Sequence, residues 1–221
     1  MCGRFTIDIS SEVISELFGL TEHPTISPRF NIAPTQQIQV IRQYADGGNH
    51  LDVLRWGLIP SWAKDLSIGA RMINARCETV AEKPAFKQAI RYRRCLVLSS
   101  GFYEWTTEGK AKKPWYIRLK DGSPMIFAGL WDNWKSPDNT IVQSCTILTT
   151  SANPLIEPLH DRMPAILHPD EYRKWLDREV TKPADLQYLF QSYPADLMEM
   201  YPVSQSVNSP KNDSADLICG V

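Results

Sequence analysis

The second residue of the chain is Cys2, and loss of Met1 would leave it with a free α-amine beside its thiol. Aminopeptidases remove an initiator methionine before a small residue. An α-amine has a pKa of about 8, so part of it is neutral at physiological pH and attacks an aldehyde. The thiol can then close a five-membered thiazolidine ring on the imine carbon, favoured by its high effective concentration. Position alone favours a small buried apolar cysteine, so the residues that could act with Cys2 must decide.

Three polar residues elsewhere have side chains that this chemistry would use. His160 in Leu-His-Asp-Arg-Met-Pro is suited to proton transfer, although a histidine can also cap a helix end. Asn74 offers an amide that donates and accepts, or forms a turn. Glu104 lies between two aromatic residues after an apolar strand, where a carboxylate needs a partner. It could hold the Cys2 amine or pair with an arginine.

The balance of charge gives no general attraction to a polyanion, because 24 Lys and Arg face 25 Asp and Glu. Any surface that binds nucleic acid must therefore come from local clustering of basic residues. The segment 71–94 is basic, although a solvated helix face would explain it. Exposed tryptophans could stack on unpaired bases while arginines hold phosphates, and the candidates are Trp56, Trp62 and Trp105 with Arg4, Arg76 and Arg162.

Several other classes of protein are disfavoured by the sequence. The five cysteines are odd in number and contain no Cys-x-x-Cys pair, which argues against a disulfide framework and a zinc site. The chain contains no nucleophile elbow, phosphate-binding loop or dinucleotide fingerprint. It also has no His-Glu-x-x-His motif, and its four histidines lack metal-ligand spacing, so we expect no metal and no cofactor. No apolar run could cross a bilayer and no secretory signal is visible. We expect a cytoplasmic protein without membrane contact.

The pattern of apolar residues predicts an α+β fold: a single β-rich domain of mostly antiparallel strands, barrel-like, with peripheral helices. The domain spans 1–221, with a tail from 209 that is expected to fray. The first predicted elements are a helix capped by Ser10 or Ser11, with Val13, Ile14, Leu17 and Phe18 on its apolar face and Gly19 as its stop, and then a hairpin around 46–49. A helix is predicted from Pro84, with Lys83, Lys87, Arg91 and Arg94 on its outer face. Strands are predicted at 95–99, around Tyr103, and at 115–119, 125–130 and 142–149, followed by a Ser151-capped helix over 154–159 and a helix from Pro169.

A set of motifs along nearly the whole chain resembles one known family, the abasic-site-processing proteins historically called SOS response-associated peptidases, or SRAP domains. The motifs are Cys-Gly-Arg-Phe at 2–5, Asn-Ile-Ala-Pro-Thr at 31–35, Arg-Trp-Gly-Leu-Ile-Pro-Ser-Trp at 55–62, Ile-Asn-Ala-Arg-Cys-Glu-Thr at 73–79, Gly-Phe-Tyr-Glu-Trp at 101–105, His-Asp-Arg-Met-Pro at 160–164 and Pro-Val-Ser-Gln-Ser-Val-Asn at 202–208.

The resemblance implies a protein that binds single-stranded DNA and forms a thiazolidine crosslink between Cys2 and the ring-opened aldehyde of an abasic site, which shields the lesion. It implies that Asn74 positions the amine and the sugar, that Glu104 assists proton transfer, and that His160 assists ring opening. Residues implied to line the DNA groove are Arg4, Asn31, Pro34, Trp56, Arg76, Trp105 and Arg162. Thr106 and Thr107 depart from the family, because a basic residue often follows the Glu-Trp pair there.

Two other functions remain open at the level of sequence. The first is a cysteine peptidase that uses Cys2 and His160, acting only on its own Met1 or more widely. The second is a DNA-binding module without covalent chemistry. For the crosslinking function we expect abasic single-stranded DNA and replication-fork proteins as partners, a monomeric state, and association with the nucleoid when DNA is bound.

Overall fold

The computed structural model describes residues 2–21, 24–109 and 111–221. Its strands are β1 Phe5–Ile7, β2 Arg29–Ile32, β3 Gln37–Gln43, β4 Asn49–Trp56, β5 Asn74–Arg76, β6 Arg94–Ser99, β7 Gly101–Glu108, β8 Ala111–Leu119, β9 Met125–Lys135, β10 Ile141–Ser151, β11 Arg162–Pro164 and β12 Met198–Pro202. The α-helices are α1 Ser11–Phe18, α2 Ala89–Tyr92 and α3 Tyr172–Leu176. Short 3-10 helices cover Leu66–Arg71, Pro169–Glu171, Pro183–Phe190, Ala195–Leu197, Gln205–Asn208 and Ala215–Ile218.

A closed barrel forms the centre of the fold. Five strands pair in a ring in the order β10, β4, β3, β6, β9 and back to β10. The pairing of β10 with β4 is parallel and the other pairings in the ring are antiparallel. The predicted β-rich, barrel-like α+β domain is therefore confirmed.

A second, antiparallel sheet packs against the barrel in the order β12, β8, β7, β1, β2. Phe5 of β1 joins the two layers, because its ring meets Trp56 of β4 edge-on at 5.1 Å and Phe127 of β9 at 6.0 Å. All three side chains are fully buried. This packing fixes the start of the chain against the barrel.

The first helix and the first hairpin are confirmed. Ser10 caps α1 by accepting from the Val13 backbone amide, and Gly19 ends the helix in the left-handed conformation at φ 61°. The predicted apolar face is only half right. Ile14 and Phe18 are buried, whereas Val13 and Leu17 are 42% and 39% exposed.

The predicted helix from Pro84 is mostly wrong. Residues 84–88 form turns, and only Ala89–Tyr92 is α-helical. Arg94 does not lie on an outer face: it is buried at the start of β6 and donates to the carbonyls of Ile90 and Trp175. A side chain with five donors can satisfy several carbonyl groups at the end of a short helix, which periodicity does not reveal.

The predicted helix over 154–159 is a series of turns, and its cap is Asn153 rather than Ser151, which ends β10. The side-chain oxygen of Asn153 accepts from the amides of Leu155 and Ile156. The helix from Pro169 is confirmed as a 3-10 turn followed by α3.

The closing residues 209–221 contact the second sheet. The side chain of Asn31 donates to the carbonyls of Ser209 and Asn212, and Arg29 pairs with Asp213. Val203 and Gly220 form an isolated bridge. Among the described residues, no helix has the length and apolar character needed to span a bilayer.

Candidate functional site

Cys2 lies just before β1, next to the neighbouring strand β7. The pairing of these strands continues past Phe5, since the Tyr103 amide donates to the Arg4 carbonyl at 2.9 Å. Cys2 thereby approaches Glu104, and it is 0% exposed. Burial first, and the negative charge of Glu104 second, raise the pKa of the Cys2 thiol far above its usual range. The thiol is therefore protonated at neutral pH. Met1, whose removal is expected, lies outside the described residues.

Asn74 reaches Cys2 from the barrel. It opens the short strand β5, which pairs in parallel with β10 through Ile147. Its side-chain Nδ2 donates to the Cys2 carbonyl oxygen at 2.7 Å. The Oδ1 atom of the same amide is buried and has no hydrogen-bond partner among the described residues. One half of the amide thus holds the chain start, and the other half remains available to accept from a donor.

Glu104 is a buried carboxylate on β7, opposite Trp115 of β8. Burial raises the pKa of its carboxyl group, and the positive charge of His160 offsets part of that rise. A carboxyl group in this condition exchanges protons more readily near neutral pH than an exposed glutamate does.

His160 follows the turns that Asn153 caps, and its own amide donates to the Ile156 carbonyl at 3.0 Å. Its Nδ1 accepts from the Arg162 amide at 3.0 Å. The carboxylate of Asp161 lies 2.8 Å from Nδ1. The structure therefore brings the four predicted residues near one another: Asn74 is hydrogen-bonded to Cys2, and the charge of Glu104 acts on both Cys2 and His160.

The half-buried Arg4 and the buried Asn31 are hydrogen-bonded to each other beside this cluster. Nη1 of Arg4 donates to Asn31 Oδ1 at 2.6 Å and to the Val207 carbonyl at 2.8 Å. Its guanidinium group lies 5.8 Å from the centre of the Trp105 ring. Desolvation lowers the pKa of Arg4 somewhat. Asn31 is 0% exposed and accepts the hydrogen bond from Arg4.

The three candidate stacking tryptophans have different surroundings. Trp56 was expected to be exposed, and this is wrong: it is fully buried, and its indole nitrogen donates to the Ile73 carbonyl at 2.9 Å. Trp105 is half-buried and donates to Asn208 Oδ1 at 2.7 Å. Trp62 is 58% exposed. Two aromatic rings are thus accessible, and the third supports the strand leading to Asn74.

The other predicted groove residues differ in availability. Arg76, at the end of β5, is exposed, and Pro34 is half-buried before Thr35, whose φ is 72°. Arg162 is buried and binds both carboxylate oxygens of Glu78, at 2.6 and 2.8 Å. Sequence reasoning missed Glu78 and the supporting Val207 and Asn208, although all three fall within the motifs quoted above.

Comparison with known proteins places this constellation in a family. The model described as "SOS response associated peptidase (SRAP)" matches residues 1–210. The chain is a member of the SRAP family. It is 46% identical over 223 residues to "Abasic site processing protein YoqW" of Bacillus subtilis, covering 99% of both chains. It is 30% identical to "Abasic site processing protein YedK" of Escherichia coli, again covering 99% of both.

Solved structures extend the likeness of this SRAP protein to the fold. A protein from Bacteroides thetaiotaomicron matches with a TM-score of 0.88 and 26% identity, covering 100% of both chains. Within the described part of this SRAP chain, no group of three or more His, Cys, Asp or Glu side chains is arranged to hold a metal ion.

Proposed function

We propose that this chain processes abasic sites in single-stranded DNA by capturing the ring-opened sugar covalently at Cys2. The observation that carries the proposal is the 2.7 Å hydrogen bond from Asn74 to the Cys2 carbonyl, beside the buried carboxyl of Glu104. This contact holds the residue whose amine and thiol would react. The names of the curated relatives, abasic site processing proteins, supply the substrate class.

The first step opens the sugar. An abasic deoxyribose is mostly a closed hemiacetal, which opens when its 1′ hydroxyl loses a proton and its ring oxygen gains one. His160 in its protonated form donates from Nε2 to the ring oxygen, and the Glu104 carboxylate accepts the hydroxyl proton. The step leaves a neutral imidazole, a protonated carboxyl group and a free aldehyde.

The second step joins the protein to the aldehyde. The neutral α-amine of Cys2, freed by loss of Met1, attacks the carbonyl carbon, and a proton moves from nitrogen to oxygen to give a carbinolamine. Glu104 then protonates the hydroxyl group, which leaves as water, and an iminium ion forms. Burial favours this step, because it stabilises the protonated form of Glu104 until it is needed.

The third step closes the ring. The Cys2 thiol gives its proton to the Glu104 carboxylate, and sulfur adds to the iminium carbon. The sum is aldehyde plus aminothiol giving thiazolidine plus one water. The protonated state of the buried thiol agrees with this order, in which nitrogen attacks before sulfur.

The DNA strand would lie across the exposed and half-buried residues around the cluster. Arg76 is available for a phosphate, and Trp105 and Trp62 offer ring faces to unpaired bases. Pro34 would shape the edge of the groove. Asn31 and Trp56 support the groove from beneath, while Arg4 and Arg162 would each have to exchange or share a present partner to bind a phosphate.

The peptidase function receives less support. A cysteine peptidase needs a thiolate, and both burial and the charge of Glu104 oppose ionisation of Cys2. The contacts of Asn74 favour a role for the backbone end of Cys2 rather than its sulfur alone.

Intact-mass measurement of the processed protein, mixed with an abasic oligonucleotide, tests the proposal. We expect a heat-stable adduct whose mass is the sum of protein and DNA less one water, formed without a reducing agent. An undamaged oligonucleotide of the same sequence is the control. Absence of the adduct with protein shown to lack Met1 would refute covalent capture, and turnover of a peptide substrate without DNA would favour the peptidase.

A further inference from the structure

A second cleft lies at the other end of the barrel from the Cys2 cluster. Its volume is about 370 Å³, and it is lined where β3 ends and where β6 and β10 begin, by Gln43, Arg94 and Gln143. Along β10, Gln143 is separated by eight residues, or about 26 Å, from Ser151, which pairs with Arg162 of the first site. The cleft is therefore separate from the proposed crosslinking site.

The lining carries three arginines and no carboxylate. Arg42 is 4% exposed, and its Nε donates to Asp52 at 2.7 Å while Nη2 donates to Gln143 at 3.3 Å. Its Nη1 has no hydrogen-bond partner among the described residues. Arg178 is exposed at the rim and pairs with no carboxylate in the described part of the chain. Asp52 offsets the charge of Arg42, but Arg94 and Arg178 leave the cleft with a local excess of positive charge suited to an anion.

Arg94 contributes positive charge to the cleft, but its hydrogen-bond donors are already used by backbone carbonyls. It donates to backbone carbonyls, among them those of Ile90, Arg91 and Trp175. Burial lowers the pKa of Arg94 to about 10, which still leaves the group charged at neutral pH. Hydrogen bonds to a bound anion must therefore come from Arg42 and Arg178.

Aromatic side chains line the same space. The guanidinium group of Arg42 lies 4.4 Å from the centre of the Trp131 ring, which fixes both groups in place. Tyr92 and Tyr44 also line the cleft and are 53% and 40% exposed. Large aromatic residues left open beside fixed cations suit a ligand that is both flat and charged.

We propose that this cleft binds a small planar anion of the nucleoside 5′-monophosphate class. The phosphate would be bound by Arg178 and by Nη1 of Arg42, because the guanidinium groups of these two lining arginines are not taken up by backbone carbonyls. The base would stack on Tyr92 at the rim. The volume falls in the range of small-molecule sites, about 300–1,000 Å³.

Calorimetry with AMP as the probe tests the proposal on the full chain. We expect AMP to bind at least about tenfold more tightly than inorganic phosphate or adenosine, because only AMP fills both halves of the cleft. Equal affinity for AMP and inorganic phosphate would overturn the assignment of an aromatic subsite. Absence of AMP binding would overturn the proposal as a whole.

Substitutions at two exposed positions test where AMP binds without destabilising the fold. Arg178→Ala and Tyr92→Ala should each weaken AMP binding about tenfold, as loss of a charged contact or of a stacked base predicts. Arg118→Ala, at an exposed arginine of β8 outside the cleft, is the matched control. Crosslinking to abasic DNA should be unchanged in all three. If AMP binds but both cleft variants bind it like the parent, the nucleotide occupies another surface and the proposal is wrong.

Discussion

Arg162 and Glu78 form a two-pronged ion pair, with Nη1 and Nη2 at 2.6 and 2.8 Å from the two carboxylate oxygens. Arg162 is buried, whereas the Glu78 side chain is half exposed. The hydrogen bonds from Arg162 lower the pKa of the Glu78 carboxyl, so it stays ionised. A carboxylate thus occupies the place where a phosphate would bind this arginine.

Removal of that carboxylate should strengthen DNA binding. In Glu78→Gln, Arg162 loses its anionic partner and can neutralise a phosphate. We expect tighter binding of undamaged single-stranded DNA and a steeper salt dependence, by about 0.7 in the slope of log K against log salt. Fluorescence anisotropy across a salt series measures both. Glu82→Gln, an exposed carboxylate of the same segment, is the control. Identical slopes for the two variants would mean that Arg162 does not reach the DNA.

Loss of the Asn74 amide should slow crosslinking. Asn74→Ala removes the hydrogen bond to the Cys2 carbonyl and the buried Oδ1 acceptor. One hydrogen bond corresponds to about 1 kcal/mol, so the single-turnover rate should fall about fivefold or more. Gel quantification of adduct against time measures it. Asn133→Ala, at the far end of the barrel, should react like the parent. A normal rate in Asn74→Ala would remove Asn74 from the mechanism.

The sequence predicted the four clustered residues because each lies in a motif and has chemistry that few other positions share. Cys2 and Glu104 could not be placed together from spacing, since their proximity depends on β1 pairing with β7. The family resemblance supplied that relation. The barrel strands were predictable from alternating apolar residues and turn signals between them.

Other features could not be predicted from the sequence, because they depend on packing between residues far apart in the chain. Trp56 lies between charged and glycine residues, which indicated exposure, yet Phe5 and the Ile73 carbonyl cover it. Arg94 lies where a helical pattern placed it outward, yet α3 supplies a buried acceptor. Tertiary contacts override local patterns at such positions.

Glu104 should make stability depend on pH. Its folded-state pKa lies above the ordinary value of 4.5, so the native carboxyl still holds a proton at pH values where the unfolded one has lost it. Stability contributed by this group is full below about pH 4 and is lost as pH rises through the folded pKa. Glu104→Gln should therefore gain stability over the parent with rising pH.

Urea denaturation at several pH values measures that gain, with the exposed Glu179→Gln as control. The same Glu104 variant should crosslink about a hundredfold more slowly, because proton transfer contributes about that factor. A stability difference that stays constant across pH would show that the carboxyl is not perturbed by folding.

Gly57 should tolerate no side chain. Its φ is 119°, and a Cβ atom there would lie 2.5 Å from the Gly69 carbonyl oxygen. Gly57→Ala should lower the free energy of unfolding by about 2 kcal/mol or more, since both strain and overpacking oppose it. Gly220→Ala, whose Cβ would meet its nearest atom at 3.5 Å, should be nearly neutral. Equal urea midpoints for the two variants would show that the loop after β4 shifts to accommodate the added Cβ atom at little cost in stability.

Substitutions of Cys2 distinguish the contribution of its α-amine to the adduct from that of its sulfur. Cys2→Ser keeps the α-amine but offers a hydroxyl group, a weaker nucleophile for ring closure. We expect its adduct to be lost on heating, and Cys2→Ala should give none that survives heating unless a reducing agent traps the imine. Cys219→Ser, at an exposed cysteine, should crosslink like the parent. Heat-stable adducts from both Cys2 variants at the parental rate would show that another residue carries the covalent bond.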